Sequence, residues 1–412
     1  MKKELKMLKE SFNQIFCLLM LLFIPLMVKG QRSAEENYLR GIASFKQEMY
    51  DSALISFSLS KGLDEKNPRV WYFSGKSYFK KGLLEEAIAD FLKAEELQTG
   101  LASYMLAKVY AKQNNLNKTL HFLEIHLRSN YKKPESTILL DSDLSRFENR
   151  KEWIEFWRNS RHYSNFDKLL AEAHYLAKNS DYTEAIHTLN QGIEKNYSEA
   201  PLLAKRAEIY ILMENYNPAL KDLNNAIDKD KRNGELYSLR GKVNYQLENY
   251  KHAEEDFSQA LKLNPASLEL YPQLAKSLGH LDRYSEAKEN MQFYLQFFPG
   301  DSHAWYEYGR IHMGAGKYLD ALRSLNRALD LNSSKSEYFL ARGETYYNSR
   351  TYEYASRDFS MALDLDPRNA DAYYLKGLTA LKLNNKKMAC YCFNKAYRYG
   401  SKDAFDQLQN CK

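Results

Sequence analysis

The stretch Trp71-Tyr72-Phe73-Ser74-Gly75-Lys76-Ser77-Tyr78, followed by Ala87-Ile88-Ala89-Asp90-Phe91, decides the fold. Ala87 stands twelve residues after Gly75. Small residues at that spacing return along the chain: Gly41 with Ala53, Ala173 with Ala185, Ala207 with Ala219, Gly241 with Ala253, Ala275 with Ala287, Gly309 with Ala321, Gly343 with Ala355 and Gly377 with Ala389. Ala107 has Thr119 at the second place. From Ala173 onward each copy begins 34 residues after the last. A fixed period of this length marks a stack of like helical units, each burying its apolar face on its neighbours, rather than one globular core.

Glycine inside a helix costs about 1 kcal/mol relative to alanine, so six glycines at one phase need a compensating gain. The expected gain is close approach of two helix backbones. A large residue precedes the small one by four positions, at Trp71, Tyr237, Tyr271, Trp305, Phe339 and Tyr373. A tyrosine follows it by nine, at Tyr50, Tyr182, Tyr216, Tyr250, Tyr284, Tyr318 and Tyr352. Spacings of three, four and seven predict amphipathic helices, and Pro265, Pro299 and Pro367 close three of the units.

The second unit fits the pattern W-x2-L-G-x2-Y…A-x3-F with one substitution, and the chain resembles the tetratricopeptide repeat (TPR) family over residues 34–130 and 166–400. The resemblance implies an all-α, right-handed superhelical solenoid of about ten helix pairs plus one degenerate pair. It implies a concave groove that binds protein or peptide, and no chemistry of its own.

Half of the formal charge of +6 lies in residues 1–30, which hold five lysines and two glutamates. The remainder is near neutral and gives no reason to expect nucleic acid. Lys2, Lys3, Lys6 and Lys9 precede the 14-residue apolar run Ile15–Val28, and Val28-Lys-Gly30 offers a cleavage site before Gln31. Residues 1–30 therefore read as a signal peptide, and the mature chain as periplasmic or at the outer-membrane periphery of a Gram-negative-type bacterium. The alternative is an uncleaved membrane anchor. Beyond it lie Cys390, Cys392 and Cys411. Cys390 and Cys392 point to different faces of one helix. Either one of them bridges Cys411, or all three are packed thiols.

Residues 34–130 hold repeats 1–3 and residues 166–400 hold repeats 4–10, with 401–412 as a C-terminal capping segment. Between them, 131–165 lacks the small-residue phase but carries Leu139, Leu140, Leu144, Phe147, Trp153, Phe156 and Trp157. It reads as a degenerate helical pair or a hinge, with Asp141 or Ser142 starting a helix. Trp153, Phe156 and Trp157 either cover the apolar end of the third unit or form a docking patch for a partner.

No catalytic constellation emerges. Gly314-Ala-Gly316-Lys317 lacks the spacing of a phosphate loop and reads as an interhelical turn. His121 and His126 lie five apart and diverge on a helix, so no metal or other cofactor is expected. The family resemblance instead implies a groove lined by the first helix of each unit. Its lane after the small residue includes Lys76, Lys108, Lys242, Lys276 and Arg310; its lane three before includes Tyr38, Tyr72, Tyr104, Tyr306 and Tyr374. Cations interleaved with tyrosines suit an extended, acidic peptide. The asparagines of the family's carboxylate clamp are replaced here by Lys76 and Lys108. The expected function is a non-catalytic scaffold in the cell envelope, within a secretion or assembly complex; the alternative is a regulatory or sensory adaptor held by the uncleaved N-terminal helix.

Overall fold

A computed structural model describes residues 33–159, 162–195 and 199–411. The export signal read over residues 1–30 lies outside the described residues. Among those described, all regular structure is helical. The chain divides into two compact units, one up to Lys205 and one from Arg206.

The first unit opens with α1 (33–46) and α2 (Tyr50–Leu63), then α3 (Pro68–Lys81), α4 (Leu84–Leu97), α5 (Ser103–Lys112) and α6 (Leu116–Leu127). Each pair is joined by a turn too short for anything but an antiparallel return. The segment 131–165 forms only the single-turn α7 (Glu135–Leu139), a 3-10 turn at Ser145–Phe147 and α8 (Lys151–Asn159). It is degenerate in length but not loose. Ile138, Leu144, Phe147 and Trp153 join the apolar core built by α3 to α6. Asp141 does not start a helix; its carboxylate accepts from the Asp143 main-chain N–H at 3.0 Å and closes a turn after α7. Helices α9 (Asn165–Lys178) and α10 (Tyr182–Glu194) follow, α9 opened by a Ser164/Asp167 capping box.

The unit boundary falls inside α11 (Glu199–Leu212). The second unit continues with α12 (Tyr216–Lys229), α13 (Gly234–Gln246), α14 (Tyr250–Leu263), α15 (Leu270–His280), α16 (Tyr284–Phe297), α17 (Ser302–Gly314), α18 (Tyr318–Leu331), α19 (Ser336–Asn348), α20 (Tyr352–Leu365), α21 (Ala370–Lys382), α22 (Lys386–Arg398) and the short cap α23 (Ala404–Gln409). Each helix packs on the next, and α13, α15, α17, α19 and α21 also pack on one another in sequence. That extra layer puts the first helices on the inner side of the curve. Cys390, on α22, bridges Cys411 just beyond α23, while Cys392 is buried and free. Of the alternatives open in the sequence, the bridge from Cys390 is the one realised.

Side chains rather than backbones explain the phased glycines. A β-carbon on Gly343 would stand 2.8 Å from the ring of Phe359, which is fully buried. The expectation of backbone approach is corrected accordingly: the residue four after the second alanine reaches back across the helix pair and occupies the space.

A second device recurs at the same interval. The guanidinium of Arg240 donates to both carboxylate oxygens of Asp256, with the shortest contact at 2.6 Å, and Asn244 donates to the same carboxylate at 2.9 Å. Arg206 with Asp222 and Arg342 with Asp358 repeat the arrangement at 2.7 Å. Arg240 and Arg342 each donate a further bond to Asn224 and Asn326 of the preceding helix pair, at 2.8 Å. These bonds bolt the two helices of a repeat together, and those from Arg240 and Arg342 tie their repeats to the preceding helix pair.

Candidate functional site

The inner face of the second unit carries a cleft of about 260 Å³. Helices α13, α15 and α17 present Tyr245, Lys276, His280, Glu307 and Arg310 to it, and Tyr284 of α16 closes one side. Three observations define its chemistry. The Lys276 ammonium lies 5.4 Å above the Tyr245 ring and 3.3 Å from a carboxylate oxygen of Glu307, which is itself buried. The Tyr245 hydroxyl lies 3.1 Å from His280 Nε2, and that imidazole stacks on Tyr250 with 4.0 Å between centroids. The Arg310 guanidinium sits 5.9 Å from the Tyr306 ring, on an exposed residue.

Burial, with the Arg310 and Lys276 charges beside it, pushes the His280 pKa below its ordinary value, so the imidazole is neutral near pH 7. Burial pushes the Tyr245 phenol up to about 12. Glu307 partly offsets Lys276, and Glu307 and Glu344 both act on Arg310, while Lys242 of α13 is exposed. The cleft holds cations and hydrogen-bonding aromatic rings, a set whose chemistry suits a carboxylate. Among the described residues no group of His, Cys, Asp and Glu is arranged to hold a metal ion.

The sequence-predicted residues separate into two groups. In the second unit Lys276 and Arg310 line the cleft, Lys242 is exposed on the same layer of helices, and Tyr306 and Tyr374 are half-buried. In the first unit Lys76 and Tyr72 are half-buried, but Tyr38 and Tyr104 are core residues, 6% and 7% exposed. Tyr104 donates its hydroxyl to Asp141 at 2.7 Å, and Lys108 contacts Asp141 at 2.8 Å and Asp143 at 3.1 Å. Burial opposes ionisation of Asp141, yet the bonds from Lys108 and Tyr104 hold its carboxyl below the ordinary range. Lys108 is therefore matched within the chain. Trp153 is 4% exposed and belongs to the core, with Phe156 and Trp157 packed against it, so this trio covers the third unit.

Sequence reasoning passed over Glu307 and His280. Glu307 precedes the small Gly309 by two, and its partner Lys276 follows the small Ala275 by one. A search for opposite charges across successive units at that offset would have found the pair.

A larger hollow of about 470 Å³ lies among Tyr237, Asn244, His252 and Gln259. Its charged lining includes the Arg240–Asp256 pair, whose charges are matched internally, and it offers less to a partner.

Tetratricopeptide repeat profiles match residues 68–99, 234–267, 273–336 and 340–404. This is a tetratricopeptide repeat protein. The TPR family and its fold support a protein–protein interaction scaffold. No curated protein matches the chain. Solved structures similar to this TPR protein include the C-terminal part of a TPR repeat-containing protein from Cytophaga hutchinsonii, 19% identical, covering 58% of this chain and 99% of that one with a TM-score of 0.46. PilW, described as a type IV pilus biogenesis factor, is 21% identical and covers 52% of this chain and 99% of its own, with a TM-score of 0.46. Yeast Tom70 is 16% identical over 92% of this chain and 96% of its own, with a TM-score of 0.40. No helix among the described residues is long and apolar enough to cross a membrane.

Proposed function

We propose that this TPR protein is an exported, non-catalytic scaffold that holds an extended, acidic segment of a partner protein against the inner face of its second unit, as part of a secretion or assembly complex of the cell envelope. The observation that carries the reading is the cleft formed by Tyr245, Lys276, His280 and Arg310 on neighbouring first helices. Its side chains are already restrained by stacking and by the Glu307 carboxylate, so a ligand meets a preorganised surface. Arg310 supplies bidentate donors for a carboxylate, and Tyr306 beside it supplies an aromatic wall. Export is supported by the basic and apolar pattern of residues 1–30 and by the Cys390–Cys411 bridge, a bond that persists in oxidising compartments.

The test is crosslinking in intact cells, comparing the natural chain with the triple variant K242A/K276A/R310A. Loss of the co-purifying partner is expected. Undiminished recovery of that partner removes the cleft from consideration. The mass of the mature chain decides export separately: a start at Gln31 supports the envelope scaffold, and a start at Met1 supports the membrane-held adaptor.

A further inference from the structure

The first helices of the repeats in the first unit have a different distribution of charge. Lys108 is matched by Asp141 and Asp143, and Lys112 by Asp143 at 2.7 Å. The segment that carries these carboxylates cannot swing away readily, because Ile138 and Leu144 on either side of them are fully buried. The third repeat's cation site is thus closed by the chain itself. One repeat earlier the equivalent lysine, Lys76, has no carboxylate partner among the described residues. Its ammonium is held instead among three rings, 4.9 Å from Phe45, 5.1 Å from Phe73 and 5.5 Å from Tyr72.

The non-repeat segment brings Lys133 to Tyr104, the counterpart one repeat on of the Tyr72 beside Lys76. Its main chain is fixed on both sides: its N–H donates to His126 Nε2 at 3.1 Å, and its carbonyl accepts from the Tyr163 hydroxyl at 2.7 Å. Its ammonium lies 4.8 Å from the ring of Tyr104, whose far end is hydrogen-bonded to Asp141. Burial, and then the charges of Lys133 and Lys80, push the Lys76 pKa below its ordinary value. Lys80 lies one helical turn after Lys76 on α3, as Lys112 does after Lys108 on α5, and an anion among such like charges relieves their repulsion.

We infer that Lys76, Lys80 and Lys133 form a second partner-binding seat, built jointly by the second repeat and the non-repeat segment, that takes a carboxylate of an extended acidic peptide. The inference rests on the reading of the protein as a peptide-binding scaffold, but uses a separate unit and separate residues. The molecule already displays the bound arrangement one repeat along, where Asp141 takes an ammonium and a phenol together and Asp143 takes two ammoniums. A peptide with acidic residues two apart reproduces that contact set. The seat is flanked by Tyr72 and Phe45, which suit an apolar or aromatic residue beside the acid.

The experiment titrates the full chain into a fluorescein-labelled ten-residue peptide rich in aspartate, read by anisotropy, with an amidated copy and an Asp→Asn copy in parallel. In a K276A/R310A background, saturable binding is expected to survive, and K76A or K133A to weaken it roughly tenfold or more, as loss of a charge-assisted contact does, with K133R restoring it. Equal binding of the amidated copy assigns the site to side-chain carboxylates; loss on amidation assigns it to the chain terminus; loss with the Asn copy is required in the first case. K76A and K133A both binding within twofold of the background overturn the seat while leaving the cleft intact. Binding of anionic lipid vesicles in place of any peptide also overturns it. If K276A/R310A alone removes all binding, the seat fails and the cleft stands; if only K76A and K133A matter, the cleft fails and the seat stands. Far-UV circular dichroism confirms that each variant is folded.

Discussion

The ring of Phe91 stands where Gly75 would carry a side chain: a β-carbon built on Gly75 lies 2.7 Å from Phe91 Cδ1. The two residues are sixteen apart, and the same spacing relates Gly41 to Phe57, Gly241 to Phe257, Gly343 to Phe359 and Gly377 to Phe393. Where the first residue is alanine, the second is smaller: Ala107 has Leu123, Ala173 has Leu189, Ala207 has Leu223 and Ala275 has Met291. Gly309 with Leu325 departs from this pairing. Glycine makes room for a ring, and alanine for an aliphatic chain.

Gly343→Ala should therefore destabilise the second unit although alanine is the better helix former. Overpacking costs about 1–3 kcal/mol, against about 1 kcal/mol gained from propensity. Adding Phe359→Leu to Gly343→Ala should recover stability, whereas Phe359→Leu alone should cost about 1–2 kcal/mol through the space it leaves. A double-mutant cycle by urea unfolding measures the coupling, and additive effects would contradict the steric account.

Much of this fold is legible in the sequence. The period and the helical pairing follow from residues that recur in phase, while the inner position of the first helices is what the family resemblance implies. The role of the glycines does not show in the spacing of Gly75 and Ala87, twelve apart; it lies in the spacing of Gly75 and Phe91, sixteen apart. The cleft was half legible: Lys276 and Arg310 lie in a repeating lane, while Glu307 and His280 join it from other phases. The pairing of Lys108 with Asp141 was not legible at all. It depends on a non-periodic segment folding back onto a repeat, and no local pattern encodes that return.

Ten turns share one backbone conformation. The residue seven after the small one has φ between 56° and 78° in every unit: Glu48, Gly82, Asn114, Ser180, Glu214, Glu248, Asp282, Gly316, Arg350 and Asn384. Side chains other than glycine, asparagine and aspartate are disfavoured there by about 1 kcal/mol. Arg350→Gly and Glu248→Gly should each raise stability by about 0.5–1 kcal/mol, and their effects should add because they lie in separate turns. Thermal unfolding of the two single variants and the double variant decides it, and a fall in Tm for either single variant counts against the turn assignment.

The Arg240–Asp256 pair should behave as a buried ion pair. Asp256 is 3% exposed and accepts from both Arg240 and Asn244. Asp256→Ala leaves the guanidinium without its counter-charge and should cost about 3–5 kcal/mol. The double variant Arg240→Met/Asp256→Leu should lose much less, since an apolar pair of similar volume replaces the ions without burying an unmatched charge. Chemical denaturation of the three proteins checks the order; equal losses for the single and double variants would show that packing, not charge matching, holds this helix pair together.

His126 gives the first unit a pH-dependent stability with a definite sign. The residue is 1% exposed, its Nε2 accepts from the Lys133 main-chain N–H, and burial, followed by the Lys133 charge, lowers its pKa to about 4. An unfolded chain binds the proton near pH 6.5, whereas the folded chain does not until about pH 4. Between those values the unfolded state carries more protons, so stability rises with pH, is complete above 6.5 and falls as the solution is acidified. One proton corresponds to about 1.4 kcal/mol per pH unit, or roughly 3 kcal/mol across the window. His126→Gln keeps an acceptor for the Lys133 N–H but does not titrate. Its unfolding midpoint should change less between pH 7 and pH 4.5 than that of the natural chain. An identical pH dependence in the two proteins would assign the acid sensitivity to carboxylates instead, Asp141 and Asp167 among them, since both are held below their ordinary range against the effect of burial: Asp141 by the bonds from Lys108 and Tyr104, Asp167 by Lys132 and Ser164.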